Sequence, residues 1–215
     1  MNVLVIGANG QVGTQVIQQL KESDHQSVAL VRKEEQIKDL ESAGADKVVL
    51  GDLEEDFSHA FDNVDAVVFA AGSGGSTGAD KTMLIDLWGA VKAVNYAEKH
   101  DVKHFVMLSA TDSLDPDSES DKMKPYAVAK HMADDYLQKS SLAYTTVHPG
   151  PLKNDEPTGK VDVKAELTGD PGSYEIPRGD VARVLVGAIG KDNLKKKSVF
   201  IKSGDHSVED ALSGI

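Results

Sequence analysis

Tyr126 and Lys130 stand four residues apart in the stretch Tyr126-Ala127-Val128-Ala129-Lys130. On a helix that spacing puts both on one face, so a phenol would sit beside a fixed positive charge. Such a charge stabilises phenolate and is expected to lower a pKa that starts near ~10. The chemistry this pair suits is the movement of a proton to or from a substrate oxygen.

What the pair acts with is written at the other end of the chain. The apolar run Val3-Leu4-Val5-Ile6 breaks into Gly7-Ala8-Asn9-Gly10-Gln11-Val12-Gly13, and a helical pattern follows. A strand ending in glycines before a helix is the usual cradle for a dinucleotide pyrophosphate. Gly7 allows the tight turn, Gly10 lets the backbone approach phosphate, and Gly13 lets the helix pack on the sheet. Asn9, Gln11 and Val12, between them, complete the expected pyrophosphate contacts. The next apolar run, Ser27–Val31, ends in Arg32 where an NAD-preferring site carries an acid. A guanidinium there suits a 2′-phosphate, so NADP(H) is favoured over NAD(H), although Glu34 and Glu35 follow at once. Further on, Asp52-Leu53 and Ala71-Gly72 also follow apolar runs. Asp52 is expected to accept from the adenine amino group, and Gly72 to leave room for the cofactor. Ser109, with Thr111 as the alternative, offers a hydroxyl to a substrate carbonyl while Tyr126 protonates it.

The elements that must position these groups alternate along the chain. Candidate strands are Asn2–Ile6, Ser27–Val31, Lys47–Leu50, Ala66–Ala70, His104–Ser109, Tyr144–His148 and Ser198–Ile201, with helical patterns between them. That alternation predicts a single-domain, doubly wound parallel sheet of the Rossmann type, three layers deep as α/β/α. The clearest helix runs from Asp80 to about Lys99, where Leu84, Leu87, Trp88, Val91 and Val94 fall at the spacing of one buried face. Trp88 is therefore expected in the core. The stretch from Pro149 to about Gly172, rich in Gly, Pro, Asp and Lys, reads as a loop-rich lobe over the site. It is expected to have little core of its own, with Asp155, Glu156 and Lys160 at its rim.

As a set these residues resemble the short-chain dehydrogenase/reductase superfamily. Gly7-x-x-Gly10-x-x-Gly13, Asp52-Leu53, Ala71-Gly72, Ser109, Tyr126-x-x-x-Lys130 and Pro149-Gly150 occur in that family's order across nearly the whole chain. The glycine spacing is similar to the extended and atypical branches, which include small single-domain proteins like biliverdin reductase B and the NmrA-like regulators. The resemblance implies that Tyr126 is the acid/base, that Lys130 binds the nicotinamide ribose, and that Pro149-Gly150 lies by the nicotinamide. Extended members carry their hydroxyl nearer Ala110. They also have a larger C-terminal lobe than the 65 residues that follow Gly150 here, which argues against a nucleotide-sugar epimerase. The expected activity is NADPH-dependent reduction of a small carbonyl or other polarised double bond. The alternative is a sensor that binds the dinucleotide without turnover.

Composition removes other classes. The formal net charge of −12 argues against nucleic acid or an anionic membrane as the main partner, and leaves a small-molecule substrate. There is no cysteine, hence no disulfide or thiolate metal site. No apolar span approaches signal or transmembrane length, so a cytoplasmic location is expected. Gly75 to Thr82 fails as a phosphate loop because Asp80 stands at its second glycine. Asp115 to Tyr126 fails as a calcium loop because Ser120 and Tyr126 replace its glycine and glutamate. No metal site is expected. Among the histidines, His104 and His131 read as core or surface groups, and only His148, before Pro149, reads as a residue that could line the site.

Overall fold

The computed structural model describes residues 1–215. β1 (Asn2–Ile6) runs into α1 (Gln11–Lys21), followed by β2 (Gln26–Val31), α2 (Ile37–Ala43), β3 (Lys47–Leu50) and β4 (Ala66–Phe69). α3 (Ala79–Lys81), a π-helical segment (Thr82–Gly89) and α4 (Ala90–Lys99) then lead to β5 (His104–Leu108). After these come α5 (Lys124–Lys139), β6 (Tyr144–Pro149), β7 (Leu152–Lys153), β8 (Lys160–Lys164) and β9 (Ile176–Pro177). The order ends with α6 (Arg178–Ala188), β10 (Lys197–Ser203), β11 (His206–Ser207) and α7 (Val208–Ser213).

Nine strands form one sheet in the order β11-β8-β10-β6-β5-β4-β1-β2-β3. From β3 to β10 every pair is parallel, while β8 and β11 add antiparallel edges. A parallel sheet must bury both faces, and β1 shows how the sequence does so. Val3 and Val5 face Val16, Ile17 and Leu20 of α1 together with Val181 and Leu185 of α6. Leu4 and Ile6 face the other way, into a core shared with Val91 and Val94 of α4 and Leu137 of α5. The period-two alternation of the strand thus feeds two cores, and the three-layer Rossmann-like fold follows. The chain winds outward from β1 to β3, then crosses back to β4 on the other side of β1. That reversal opens a crevice at the C-terminal ends of β1 and β4.

Two expectations are corrected. Trp88 is not in the core but 52% exposed, and Leu84 is also exposed. The cause is the π-helical segment: closing i→i+5 turns, it advances fewer degrees per residue than an α-helix. Leu87, Val91 and Val94 keep the buried face, while Leu84 and Trp88 rotate off it. The stretch from Pro149 to Gly172 is loop-rich as expected, but it is not without core. Pro149 ends β6, and β8 pairs antiparallel with β10 and places Val161 fully in the core. The Val161-x-Val163 alternation was the strand signal, obscured by the flanking lysines and aspartate. Lys160 accordingly lies on a sheet strand, whereas Asp155 and Glu156 are exposed on the preceding connection.

His104, fully buried on β5, is a satisfied core group as expected. Its Nδ1 accepts from the Gly190 N–H at 3.0 Å, which leaves the proton on Nε2 to be donated to Thr145 Oγ1 at 3.1 Å. Thr145 in turn donates to the Leu194 carbonyl. Burial, helped by the Lys195 charge, lowers the His104 pKa from 6.5 to about 4. The unfolded chain therefore takes up a proton near pH 6.5 that the native protein refuses until about pH 4. His104 should contribute about 3 kcal/mol of stability that is present above pH 6.5 and lost as the pH falls toward 4. Urea unfolding at pH 7.5 and pH 4.5 checks this. His104→Gln should lower stability at pH 7.5 but flatten the decline between the two pH values, and an unchanged decline would refute the assignment.

Candidate functional site

The parallel strands deliver their C-terminal ends to one edge of the sheet, and most of the sequence-predicted residues meet there. Gly7 leaves β1 with φ +87°, and a Cβ on it would come within 2.6 Å of the Ala71 backbone that follows β4. A Cβ on Gly13 would lie within 2.1 Å of the Gly7 carbonyl oxygen, so α1 packs against the turn only because that residue is glycine. Gly10 is the N-cap of α1, with no side-chain cap and no acid in the first turn. Backbone N–H groups and the positive end of the helix dipole are thus left for an anion. Asn9 and Gln11 are exposed beside them, while the Val12 side chain belongs to the core and offers only its backbone. This cradle, kept clear of side-chain atoms, fits a dinucleotide pyrophosphate.

The remaining predicted contacts line the same edge. Arg32, just past β2, is exposed, and its guanidinium makes no ion pair. Of the two competing acids, Glu35 is held by Lys33 at 3.2 Å, while Glu34 is exposed. Gln36 Oε1 accepts from the Arg32 and Lys33 N–H groups and fixes the turn. Asp52, past β3, accepts the Glu54 N–H through Oδ1, and Leu53 packs under Gly89. Gly72 faces Asp86, whose Oδ2 accepts the Ser73 N–H at 2.9 Å. Past β6, the Gly150 N–H donates to the Tyr174 carbonyl, and a Cβ there would come within 2.8 Å of the Pro171 and Tyr174 backbone. Pro149 and Gly150 are therefore closed over by the Pro171–Tyr174 turn.

Tyr126 and Lys130 share a face of α5, with its N-terminal end at this edge. Lys130 is buried and donates to the Leu108 carbonyl at 2.6 Å. Burial lowers its pKa, against the pull of Asp134 and Asp86. The expected lowering of the Tyr126 pKa is not found. Burial, together with Asp86, Asp112 and Asp134, raises it, and Lys130, which gives one N–H to the Leu108 carbonyl, does not offset this. The phenol is thus a weaker acid than a free tyrosine, and no protein group hydrogen-bonds its hydroxyl.

Ser109 is buried at the end of β5, and its hydroxyl donates to Asp134 Oδ2 at 2.5 Å. Ser113 donates to the same oxygen at 2.9 Å. Thr111, also buried, lies 3.4 Å from the Asp112 carboxylate. The serine proton is therefore spent within the protein. His148 is buried against Phe200, with Nδ1 3.2 Å from the Ala110 carbonyl. Burial lowers its pKa. Asp86 and Asp134 were missed by sequence reasoning. Asp134 stands four residues past Lys130 on the same helix face, and Asp86 is a lone acid in an apolar stretch; both signals were present.

The crevice, the uncapped helix and the edge position define a dinucleotide-binding protein of the Rossmann type, and the comparisons agree. Residues 7–192 match the model of the NAD(P)H-binding family, and the chain belongs to that family. A Bacillus subtilis protein described as an uncharacterized sugar epimerase, YhfK, is 41% identical over 99% of each chain. A solved structure from Bacillus halodurans, provisionally described as an NAD-dependent epimerase/dehydratase, is 47% identical and superposes over all of both chains with a TM-score of 0.96. The oxidoreductase ylbE from Lactococcus lactis is 31% identical, with a TM-score of 0.85 over all of this chain and 96% of that one. The neighbourhood is that of atypical short-chain dehydrogenase/reductase-like, NAD(P)-binding oxidoreductase folds. No helix is long and apolar enough to cross a membrane.

Gly7 and Gly74 separate steric closure from backbone strain. Both have φ near the left-handed region, +87° and +83°, but nothing lies within 4 Å of a Cβ on Gly74. Gly74→Ala should cost about 1 kcal/mol, the backbone strain alone. Gly7→Ala should cost at least about 2 kcal/mol more and abolish dinucleotide binding, because Ala71 must move. Urea midpoints at constant m-value measure the difference; equal losses would remove the cradle argument.

Proposed function

We propose that the chain is an NADPH-dependent reductase of a small carbonyl or other polarised double bond. The observation that carries this reading is the Tyr126 phenol, free of any protein hydrogen bond and on one helix face with buried Lys130, at the edge where Gly7, Gly10 and Gly13 leave a pyrophosphate cradle. The dinucleotide, when bound, supplies the hydride. The protein's own residues do the rest. The first turn of α1 holds the pyrophosphate, Arg32 takes the 2′-phosphate, and Asp52 faces the adenine. Lys130 orients the ribose, and Pro149-Gly150 backs the nicotinamide. Tyr126 gives its proton to the substrate oxygen as negative charge develops there. With its hydroxyl donating to Asp134 Oδ2, Ser109 orders the wall of the site and leaves proton donation to Tyr126. In the reductive direction the acid must start protonated, as a tyrosine phenol is at neutral pH. The close packing of Gly150 against Pro171 and Tyr174 favours a small acceptor over a nucleotide-sugar.

Two measurements test this. Fluorescence titration should show NADPH binding more tightly than NADH, and Arg32→Ala should erase about 1–3 kcal/mol of that preference. Equal wild-type affinities would overturn the 2′-phosphate assignment. With NADPH and a panel of aldehydes, ketones, quinones and flavins, Tyr126→Phe should keep cofactor affinity within about twofold and lower turnover by about 100-fold or more. A fully active Tyr126→Phe would refute the mechanism. Tight cofactor binding with no turnover across the panel would transfer the protein to the sensor class.

A further inference from the structure

Asp86, on the π-helical segment, is 2% exposed, and its two oxygens are used unequally. Oδ2 accepts the Ser73 N–H at 2.9 Å, whereas Oδ1 receives no protein donor. The only unpartnered side-chain oxygen sealed inside the protein is Asp134 Oδ1, so Asp86 Oδ1 keeps an open face. That face lies at Gly72. A Cβ on Gly72 would come within 3.1 Å of Oδ1, and apart from its chain neighbours no other residue comes within 4 Å of that point. The glycine is thus a window between the carboxylate and the crevice past β4. Asp86 also reaches both members of the Tyr126–Lys130 pair. After burial it comes next in raising the Tyr126 pKa, and with Asp134 it opposes the lowering that burial imposes on Lys130. The charges here do not balance. Lys130 is the only buried lysine or arginine, and it faces Asp86 and Asp134, with Asp112 added beside Tyr126. Lys81 and Lys124, on the flanking segments, are held by Glu54 at 2.6 Å and Asp117 at 3.0 Å. Buried negative charge in excess is costly unless a cation completes it.

We propose that Asp86, supported by Asp112, sets the redox poise of the bound dinucleotide by stabilising its oxidised, cationic nicotinamide ring over the reduced, neutral one. Loss of a hydride carries two electrons and a proton to the acceptor, and the ring goes from neutral to singly positive. Nothing else on the dinucleotide changes charge. A carboxylate that acts through the Gly72 window therefore lowers the energy of the oxidised form and leaves the reduced form almost unmoved. Hydride loss becomes more favourable on the protein than it would be without that charge. The inference rests on dinucleotide binding, which the family match shows, and not on turnover. A protein that only sensed the cofactor would show the same poise.

NADP+ and NADPH, titrated separately against the intact protein by calorimetry, are the probes. Asp86→Asn keeps an acceptor for the Ser73 N–H and removes only the charge. It should weaken NADP+ relative to NADPH by about tenfold, which raises the bound potential by about 30 mV for a two-electron couple. Asp112→Asn, at a half-buried position just past β5, should move the ratio in the same direction by about threefold. A merely structural role for Asp86 would weaken both forms alike, because they differ only at the ring. Equal weakening, or a ratio unmoved by Asp86→Asn, would overturn the proposal. If Asp86→Asn does not fold, Asp112→Asn decides: a ratio equal to that of the wild type would overturn it as well.

Discussion

The turn after β1 and the turn after β4 come so close that no side-chain atom fits between them, and the rest of the site depends on that approach. Gly7 presses on the Ala71 backbone, and Gly13 presses on the Gly7 carbonyl, so strand, turn and helix interlock through main chain alone. Because side chains are excluded, the first turn of α1 stays uncapped, and its N–H groups face an open crevice. A packing demand at the point where the sheet reverses direction thus doubles as an anion site. Parallel pairing extends the consequence. Once β1 places its exit at one edge, β2, β4, β5 and β6 must place theirs beside it, and with them Arg32, Gly72, Ser109 and Gly150.

A second constraint is the burial of charge along α5. Lys130 lies within the protein and cannot keep an ammonium there without an acceptor, which the Leu108 carbonyl supplies. Asp134, one turn further along, adds a favourable field on that ammonium while drawing in the Ser109 and Ser113 hydroxyls. The same carboxylates that steady Lys130 disfavour ionisation of Tyr126. Where a bare Tyr-Lys pair would lower the phenol pKa, burial first, and Asp86, Asp112 and Asp134 after it, raise it. The acidity of the phenol is thus set by burial and by groups outside the four-residue motif.

Most of the fold could be read from the sequence because its strands are short, apolar runs ended by glycine or polar residues, and each feeds both faces of the sheet. The seven expected strands are present within a few residues at their ends. What was not legible has specific causes. β8 carries Lys160, Asp162 and Lys164 on its polar positions, so only Val161 and Val163 speak for a strand, and its partner β10 lies far along the chain. Trp88 fits an α-helical face in sequence, but the π-helical segment that rotates it outward is a tertiary choice, bound up with Gly89 packing against Leu53.

The site divides in the same way. Glycines that exclude side chains announce themselves, because their role is a property of one residue. The Tyr126–Lys130 pair is equally visible, because helical spacing alone puts it on one face. The state of the phenol is different in kind. It depends first on burial and then on Asp86 from the π-helical segment, Asp112 after β5 and Asp134 on α5, brought together only when three elements pack. Motif spacing therefore locates the proton, whereas the charges that hold it there belong to the tertiary structure. A chain with the same Tyr-x-x-x-Lys but neutral residues at these three positions would share the fold and the cradle, yet start from a different balance between acid and base.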